Sequence, residues 1–447
     1  MRLRVSAILR LLARLSFAAT LILLPFRYRY LVMARPISTV YGDFTDFLLF
    51  ASDVALLVTL ALWALSLALE RRRARVGPLL VTLPLAAVTV FAWLSAIFSV
   101  DPALTVYHAL RVTLLFGLYL YVSNEVTTLR ELVAPVAIQI AIQAVVGIAQ
   151  VLQQHDLGLQ DWGEYLLDPA WNGVSIVWAE GLRSLRAYGL SDHPNLLGGL
   201  FAFALLLLAA WHVGAESRGQ TLTVGVFMLG VVALLLTFSR AAWVAFGVGA
   251  AFSLALLGVT RQTRAAREWL ALIAASAIVL LPFVWHNAPY LGVRFNHPTA
   301  STQVIDDANR TDFERDLLNG AANQLFAERP LTGVGLGAFP VALAQRFPDI
   351  KVNFQPAHVV LLDVAVETGV GGALCYVVLM LAPWLALWLN RERLVWSPQL
   401  IGVSALLLAI TVVGFADYYP WLLAPGRLWQ WTAWGLWGVS YQDALKL

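Results

Sequence analysis

Residues 194–213 read PNLLGGLFAFALLLLAAWHV and contain no Asp, Glu, Lys or Arg. Wound as a helix at about 1.5 Å per residue, a run of this length crosses a hydrocarbon core roughly 30 Å thick. A single such run also suits a buried helix of a soluble protein, so repetition decides the matter. Comparable runs lie near 10–27, 46–69, 79–99, 104–122, 132–152, 221–239, 241–258, 269–286, 359–389, 399–416 and 427–441. Of 447 residues 60% are hydrophobic and 13% charged, about half the roughly 25% of a soluble domain, and only lipid can replace the missing polar surface. The 17 Trp and 13 Tyr suit aromatic belts at the two interfaces. The expectation is an all-α integral membrane protein of about twelve transmembrane helices.

A net charge of +3, with no basic block outside short loops, gives no reason to expect nucleic acid as a partner. The single Cys375 sits in an apolar run and excludes a disulfide framework. Residues 1–26 combine a basic start with an apolar stretch, as a signal peptide does. No small-x-small cleavage site precedes Arg27, so the stretch is read as the first span.

Arginine in the short loops sets the orientation. One side receives Arg2, Arg4, Arg10, Arg14, Arg71, Arg72, Arg73, Arg75, Arg130, Arg218, Arg261, Arg264, Arg267, Arg391, Arg393 and Lys446; the other has Arg27, Arg29, Arg35, Arg183, Arg186, Arg240 and Arg427. The richer side is expected to be cytoplasmic, with both termini on it. The chain then divides into helices one to nine (1–286, including an outer loop at 153–193), a large outer loop (287–358) and helices ten to twelve (359–447). The run 359–389 is overlong for one crossing, which predicts tilt or an extension beyond the bilayer. In the large loop Thr311-Asp-Phe-Glu314 has the form of a capping box, followed by Phe313, Leu317, Ala321 and Leu325 at a spacing of four. This predicts an amphipathic helix near 312–328 lying on the membrane domain.

Outer arginines run against the charge bias. Arg186 precedes span six and Arg240 stands at the outer end of span seven. Guanidinium stays charged and forks onto phosphate oxygens, so two at one face suit a diphosphate, although each could instead snorkel to headgroups. Arg315, expected in the first turn of the loop helix, opposes that helix's dipole unless an anion binds there; pairing with Asp312 or Glu314 is the alternative. His358 opens span ten at the membrane surface and can accept a proton from a sugar hydroxyl, or serve the structure alone. Glu367, about 13 Å deeper, is too far to touch it. Asp363 and Glu367 need partners inside the membrane, and Arg111 is one candidate. There is no Asp-x-Asp pair, Walker loop or His/Cys cluster with metal spacing. A lipid diphosphate leaves readily once arginines neutralise it, so neither metal nor cofactor is called for.

The succession Arg186, Gly189, His193-Pro194-Asn195, Thr237-x-Ser239-Arg240, Arg315, Pro330-Leu-Thr-Gly-Val-Gly-Leu-Gly337-x-Phe339 and His358 followed by Glu367-Thr-Gly369 resembles the O-antigen ligase/O-antigen polymerase family. The resemblance covers about residues 186–370. It implies a GT-C-like glycosyltransferase of the bacterial inner membrane with its active site facing the periplasm. Such an enzyme takes a glycan from undecaprenyl diphosphate and joins it to an acceptor sugar hydroxyl, on lipid A–core in ligases and on another lipid-linked glycan in polymerases. By position, Arg186 and Arg240 would hold the diphosphate with help from Arg315, and His358 would orient or deprotonate the acceptor. His193, Asn195, Ser239, Arg111 and Glu367 are the supporting candidates. Two positions depart from the family pattern: Val359 where Asn is frequent, and Asn319 where an aromatic is frequent. Two rival readings are a polyprenyl-monophosphate glycosyltransferase using Asp43 or Asp46 as base, and a lipid-linked glycan transporter, against which no matching halves are visible.

Overall fold

The computed structural model describes residues 2–37, 40–179, 181–215, 220–295, 302–350 and 353–446; in the helix starting at Thr302, side chains are described from Phe313 onward. Its helices are α1 (Arg2–Leu23), α2 (Ala51–Glu70), α3 (Leu79–Ser95), α4 (Pro102–Glu125), α5 (Arg130–Gln153), α6 (Pro194–Gly214), α7 (Gln220–Leu236), α8 (Arg240–Val259), α9 (Thr263–His286), α10 (Ala288–Phe295), α11 (Thr302–Glu328), α12 (Phe339–Arg346), α13 (Val360–Leu389), α14 (Pro398–Gly414) and α15 (Ala424–Lys446). Two antiparallel hairpins accompany them, β1 (Arg29–Met33) with β2 (Phe47–Phe50) and β3 (Ile176–Ala179) with β4 (Leu182–Leu185).

A helix stands at each of the twelve apolar runs. Among the described residues nine helices, α1 to α6, α8, α9 and α13, are long and apolar enough to cross a membrane. α7 and α14 are apolar but shorter, and α15 is long but more polar. The protein is therefore a multi-pass helical membrane protein. Start signals are local: Asp101 caps α4 by accepting from Leu104 N–H, and Ser397 caps α14 by accepting from Leu400 N–H, each followed by proline. α6 is apolar all round and accordingly central, buried against α7, α8, α14 and α5. Peripheral helices keep Leu15, Leu83, Leu281 and Leu374 exposed, as a lipid-facing surface requires.

The glycine-rich motif and the break in α13 form one device. Val334 N–H donates to Val366 O at 2.8 Å, Gly335 N–H to Glu367 O at 3.0 Å, and Val370 N–H to Pro330 O at 2.7 Å. Gly369 is left-handed, φ 71°, and interrupts α13, which explains the overlong run. A Cβ on Gly333 would meet Glu367 O at 2.4 Å, and one on Gly369 would meet Leu331 O at 2.3 Å. The loop therefore replaces hydrogen bonds that the broken helix gives up.

α11 corrects three expectations. It begins at Thr302, so Thr311 lies inside it and the capping box does not form; Asp312's side chain lies outside the described residues. Arg315 is thus in the fourth turn, far from the N-terminus of its own helix, and the argument from that helix's dipole falls. The buried face is Leu318, Ala321, Ala322 and Leu325, whereas Phe313 is 62% exposed. The four-residue spacing drifts around a 3.6-residue helix and picked a line that leaves the core at its first position.

Candidate active site

Arg186 lies just after β4, in a loop pinned by α5: Gln150 Oε1 accepts from Tyr188 and Gly189 N–H, and Gln143 Oε1 from Leu190 N–H. Its guanidinium donates to Thr237 O (Nε, 2.7 Å), Ser175 Oγ (Nη1, 2.7 Å) and Asn195 Oδ1 (Nη2, 2.5 Å). The residue is 4% exposed, and no described carboxylate forms an ion pair with it. Burial, with Arg294 and Arg240 nearby, holds its pKa well below the ordinary arginine value. A buried cation surrounded by neutral acceptors lacks a counterion.

The turn from α7 to α8 supplies the next group. Phe238 takes a left-handed φ of 49°, uncommon for a bulky residue, and α8 begins at Arg240. This turn offers Thr237 O to Arg186 and places Ser239 and Arg240 on the same cavity. Arg294 from α10 and Arg315 from α11 complete the wall, each with a buried Nε that has no hydrogen-bond partner. The cavity measures about 680 Å³ and is bounded also by Trp178, His193, Asn195 and Asp417. Among the described residues, four guanidiniums thus face one carboxylate. Burial and the charges of Arg240 and Arg315 lower Arg294 to about 10.

His358 stands at the cavity's edge. Its Nδ1 lies 3.9 Å from Asp417 Oδ1, its ring packs edge-on against Tyr418, and its backbone N–H donates to Asn319 Oδ1 at 3.2 Å. Nδ1 is buried without a hydrogen-bond partner, on the edge of the ring that faces Asp417. Burial, then the charge of Arg315, holds the imidazole at about 3, so the ring is neutral near pH 7. Burial pushes Asp417 up to about 6, against the charge of Arg315 and a hydrogen bond from Asn195. The ensemble can hold a polyanion beside a neutral imidazole backed by a carboxylate.

Of the residues singled out from sequence, Arg186, Arg240, Arg315, His193, Asn195 and Ser239 line this cavity, and His358 adjoins it through Asp417. His193 is also the cap of α6, its Nδ1 accepting from Asn195 N–H at 3.1 Å. Arg111 and Glu367 do not reach the cavity. The suggested pairing of Arg111 with the acids of α13 is corrected: Arg111 binds Asp53 at 2.8 Å, Glu367 accepts from Trp421 Nε1 at 2.8 Å, and Asp363 from Ala357 N–H at 2.9 Å. Carboxylates on α13 thus draw on indole and amide donors close by, and the cation beside Glu367 is Arg427, not Arg111.

Sequence reasoning missed Arg294, Ser175 and Asp417. The charge criterion that singled out Arg240 applies equally to Arg294, which was hidden by being counted within a long loop. Asp417 in Ala416-Asp-Tyr-Tyr419 is a polar break directly after an apolar run, a signal that was present and unread. No curated protein matches the chain. Residues 224–377, which carry Arg240, Arg294, Arg315, His358 and the break in α13, match the family model described as O-antigen ligase.

Proposed function

We propose that the protein is an inverting membrane glycosyltransferase of the O-antigen ligase type, moving a glycan from undecaprenyl diphosphate to an acceptor sugar hydroxyl, with lipid A–core as acceptor. The observation that carries this reading is the cavity of four arginines and one carboxylate with a neutral imidazole at its edge. A diphosphate supplies the counterion these guanidiniums lack, and bidentate contacts fix its orientation. The acceptor oxygen attacks the anomeric carbon from the face opposite the diphosphate. The bond from that carbon to the diphosphate oxygen breaks, its electron pair leaves with the diphosphate, and the hydroxyl proton passes to His358. Asp417 stabilises the imidazolium that forms. Occupancy of the cavity by a polyanion offsets Arg315, one of the two causes that weaken His358 as a base, and so moves the imidazole toward a useful basicity.

The orientation belongs to the same proposal. Successive helices alternate in direction, so the cavity, at the starts of α6, α8 and α13 and the ends of α7, α9 and α14, lies opposite the loops bearing Arg71 to Arg75, Arg261 to Arg267 and Arg391 to Arg393. With the Arg-rich side cytoplasmic, the cavity opens to the periplasm. The Asp43/Asp46 alternative is disfavoured because Asp43 is paired with Arg29 at 2.6 Å and Asp46 accepts from Arg35 N–H at 2.6 Å. The test is transfer by the purified protein in liposomes containing lipid-linked donor and acceptor. His358→Ala and Arg240→Ala are each expected to lower turnover by about 10²–10³. Near-normal turnover in both, or glycan flux across the bilayer without a covalent product, would overturn the reading.

A further inference from the structure

Asn195 is the second residue of α6, set by Pro194 and by the His193 cap on its N–H. Its side chain touches a different charge at each end. Oδ1 accepts from Arg186 Nη2 at 2.5 Å, and Nδ2 donates to Asp417 Oδ2 at 3.4 Å; Asp417 Oδ1 in turn lies 3.9 Å from His358 Nδ1. A primary amide carries an acceptor and a donor on one carbon, so it serves a cation and an anion at once. An aliphatic residue there would strand both partners, and a carboxylate would confront Asp417.

We propose that Asn195 is a positioning residue that couples the donor-holding Arg186 to the acid–base pair Asp417 and His358, so that the carboxylate keeps its charge toward the imidazole only while Arg186 holds the amide in this orientation. The inference rests on the glycosyl-transfer reading above and deepens it. Asp417 is faced across the cavity by Arg186, His193 at the start of α6, Arg240 at the start of α8, Arg294 from α10 and Arg315 from α11, and otherwise by His358 and Asp363 on the approach to and first turn of α13 and by its own neighbours Tyr418 and Tyr419. Arg315 and the Asn195 amide favour the ionised carboxylate, whereas burial and Asp363 oppose it. Losing the amide tips this balance toward the protonated acid, which cannot support an imidazolium.

The experiment is the pH dependence of kcat, with donor KM, for purified wild type, Asn195→Ala and Asn195→Asp. Asn195→Ala is expected to move the acid limb of kcat up by about one pH unit, to cost up to about tenfold on the acid side of that limb, and to recover most of its rate at pH 8.5. Donor KM changes by less than about threefold, because Thr237 and Ser175 still hold Arg186. Asn195→Asp keeps an acceptor for Arg186 but gives Asp417 a carboxylate neighbour, and its limb moves at least as far upward. If Asn195→Ala does not stay folded, the isosteric Asp variant gives the same reading. A limb unmoved in a folded variant, or an equal loss at every pH, overturns the inference while losses in His358→Ala and Arg240→Ala leave the function standing. Normal turnover in those two overturns both.

Discussion

Arg111, half-buried, and Arg186, buried, are two arginines with opposite surroundings. Arg111, in α4, places Nη2 on Asp53 at 2.8 Å and Nη1 on Tyr107 Oη at 2.7 Å and Leu48 O at 3.0 Å. Its charge is matched one for one. Arg186 spends three donors on a carbonyl, a hydroxyl and an amide, with further guanidiniums as neighbours. Burial of a charge costs several kcal/mol unless a partner offsets it. The first arginine is consistent with holding helices together, and the second is left short of a partner that a ligand can supply. The presence of a buried arginine therefore says little; what its guanidinium lacks says more.

The contrast breaks most visibly at Asp53. Asp53→Ala leaves Arg111 half-buried and unpaired and is expected to cost about 3–5 kcal/mol of stability, read as a large drop in melting temperature in detergent, with near-normal specific activity in the folded fraction. Arg186→Met is expected to do the reverse. Removing an uncompensated charge leaves the melting temperature within a few degrees of wild type, while transfer falls by about 10²–10³, or roughly 3–4 kcal/mol in the transition state. If Arg186→Met proved as unstable as Asp53→Ala, the distinction between a structural and a ligand-seeking arginine would fail. Arg294→Ala sharpens it further. Arg294 shares the cavity but sits on the short α10, so its loss is expected to raise donor KM about tenfold while sparing kcat.

Apolar runs announce a helical membrane protein because each must hide a whole backbone in lipid, and that signal does not depend on tertiary context. A helix indeed stands at every run. The cavity's arginines were legible for a related reason: charge is rare in such a chain, so each outer cation stands out. What the sequence did not disclose was pairing. Arg111 and Arg186 look alike along the chain, and only folding brings Asp53 to one and keeps carboxylates from the other. Asp417 and His358 are similarly distant, 59 positions apart, and meet because α13 and α14 are antiparallel neighbours whose ends share the cavity. The start of α11 was misplaced because Thr311 and Glu314 have the right types for a cap, and propensity cannot tell a cap from two residues inside a longer helix.

The smallest expected effect concerns the one carboxylate that the cavity does keep. Asp417 is too few charges for four guanidiniums, so its role there is not neutralisation. Burial has already raised it to about 6, whereas the imidazole beside it is held at about 3. Through pH 5 to 7 the histidine therefore stays neutral in the empty site and the carboxylate is the group that titrates. A carboxylate whose pKa is raised is protonated below that value, so support for a developing imidazolium is lost as pH falls through about 6 and regained above it. The kcat/KM for donor, which reports the empty site, is expected to rise roughly fourfold from pH 5.5 to 7, following the ionised fraction. Asp417→Asn removes the titrating group and is expected to give a lower, flatter profile over the same range. If the wild-type profile fell with rising pH, the carboxylate would have to act as a proton donor, and the pairing with His358 would need the opposite assignment of acid and base.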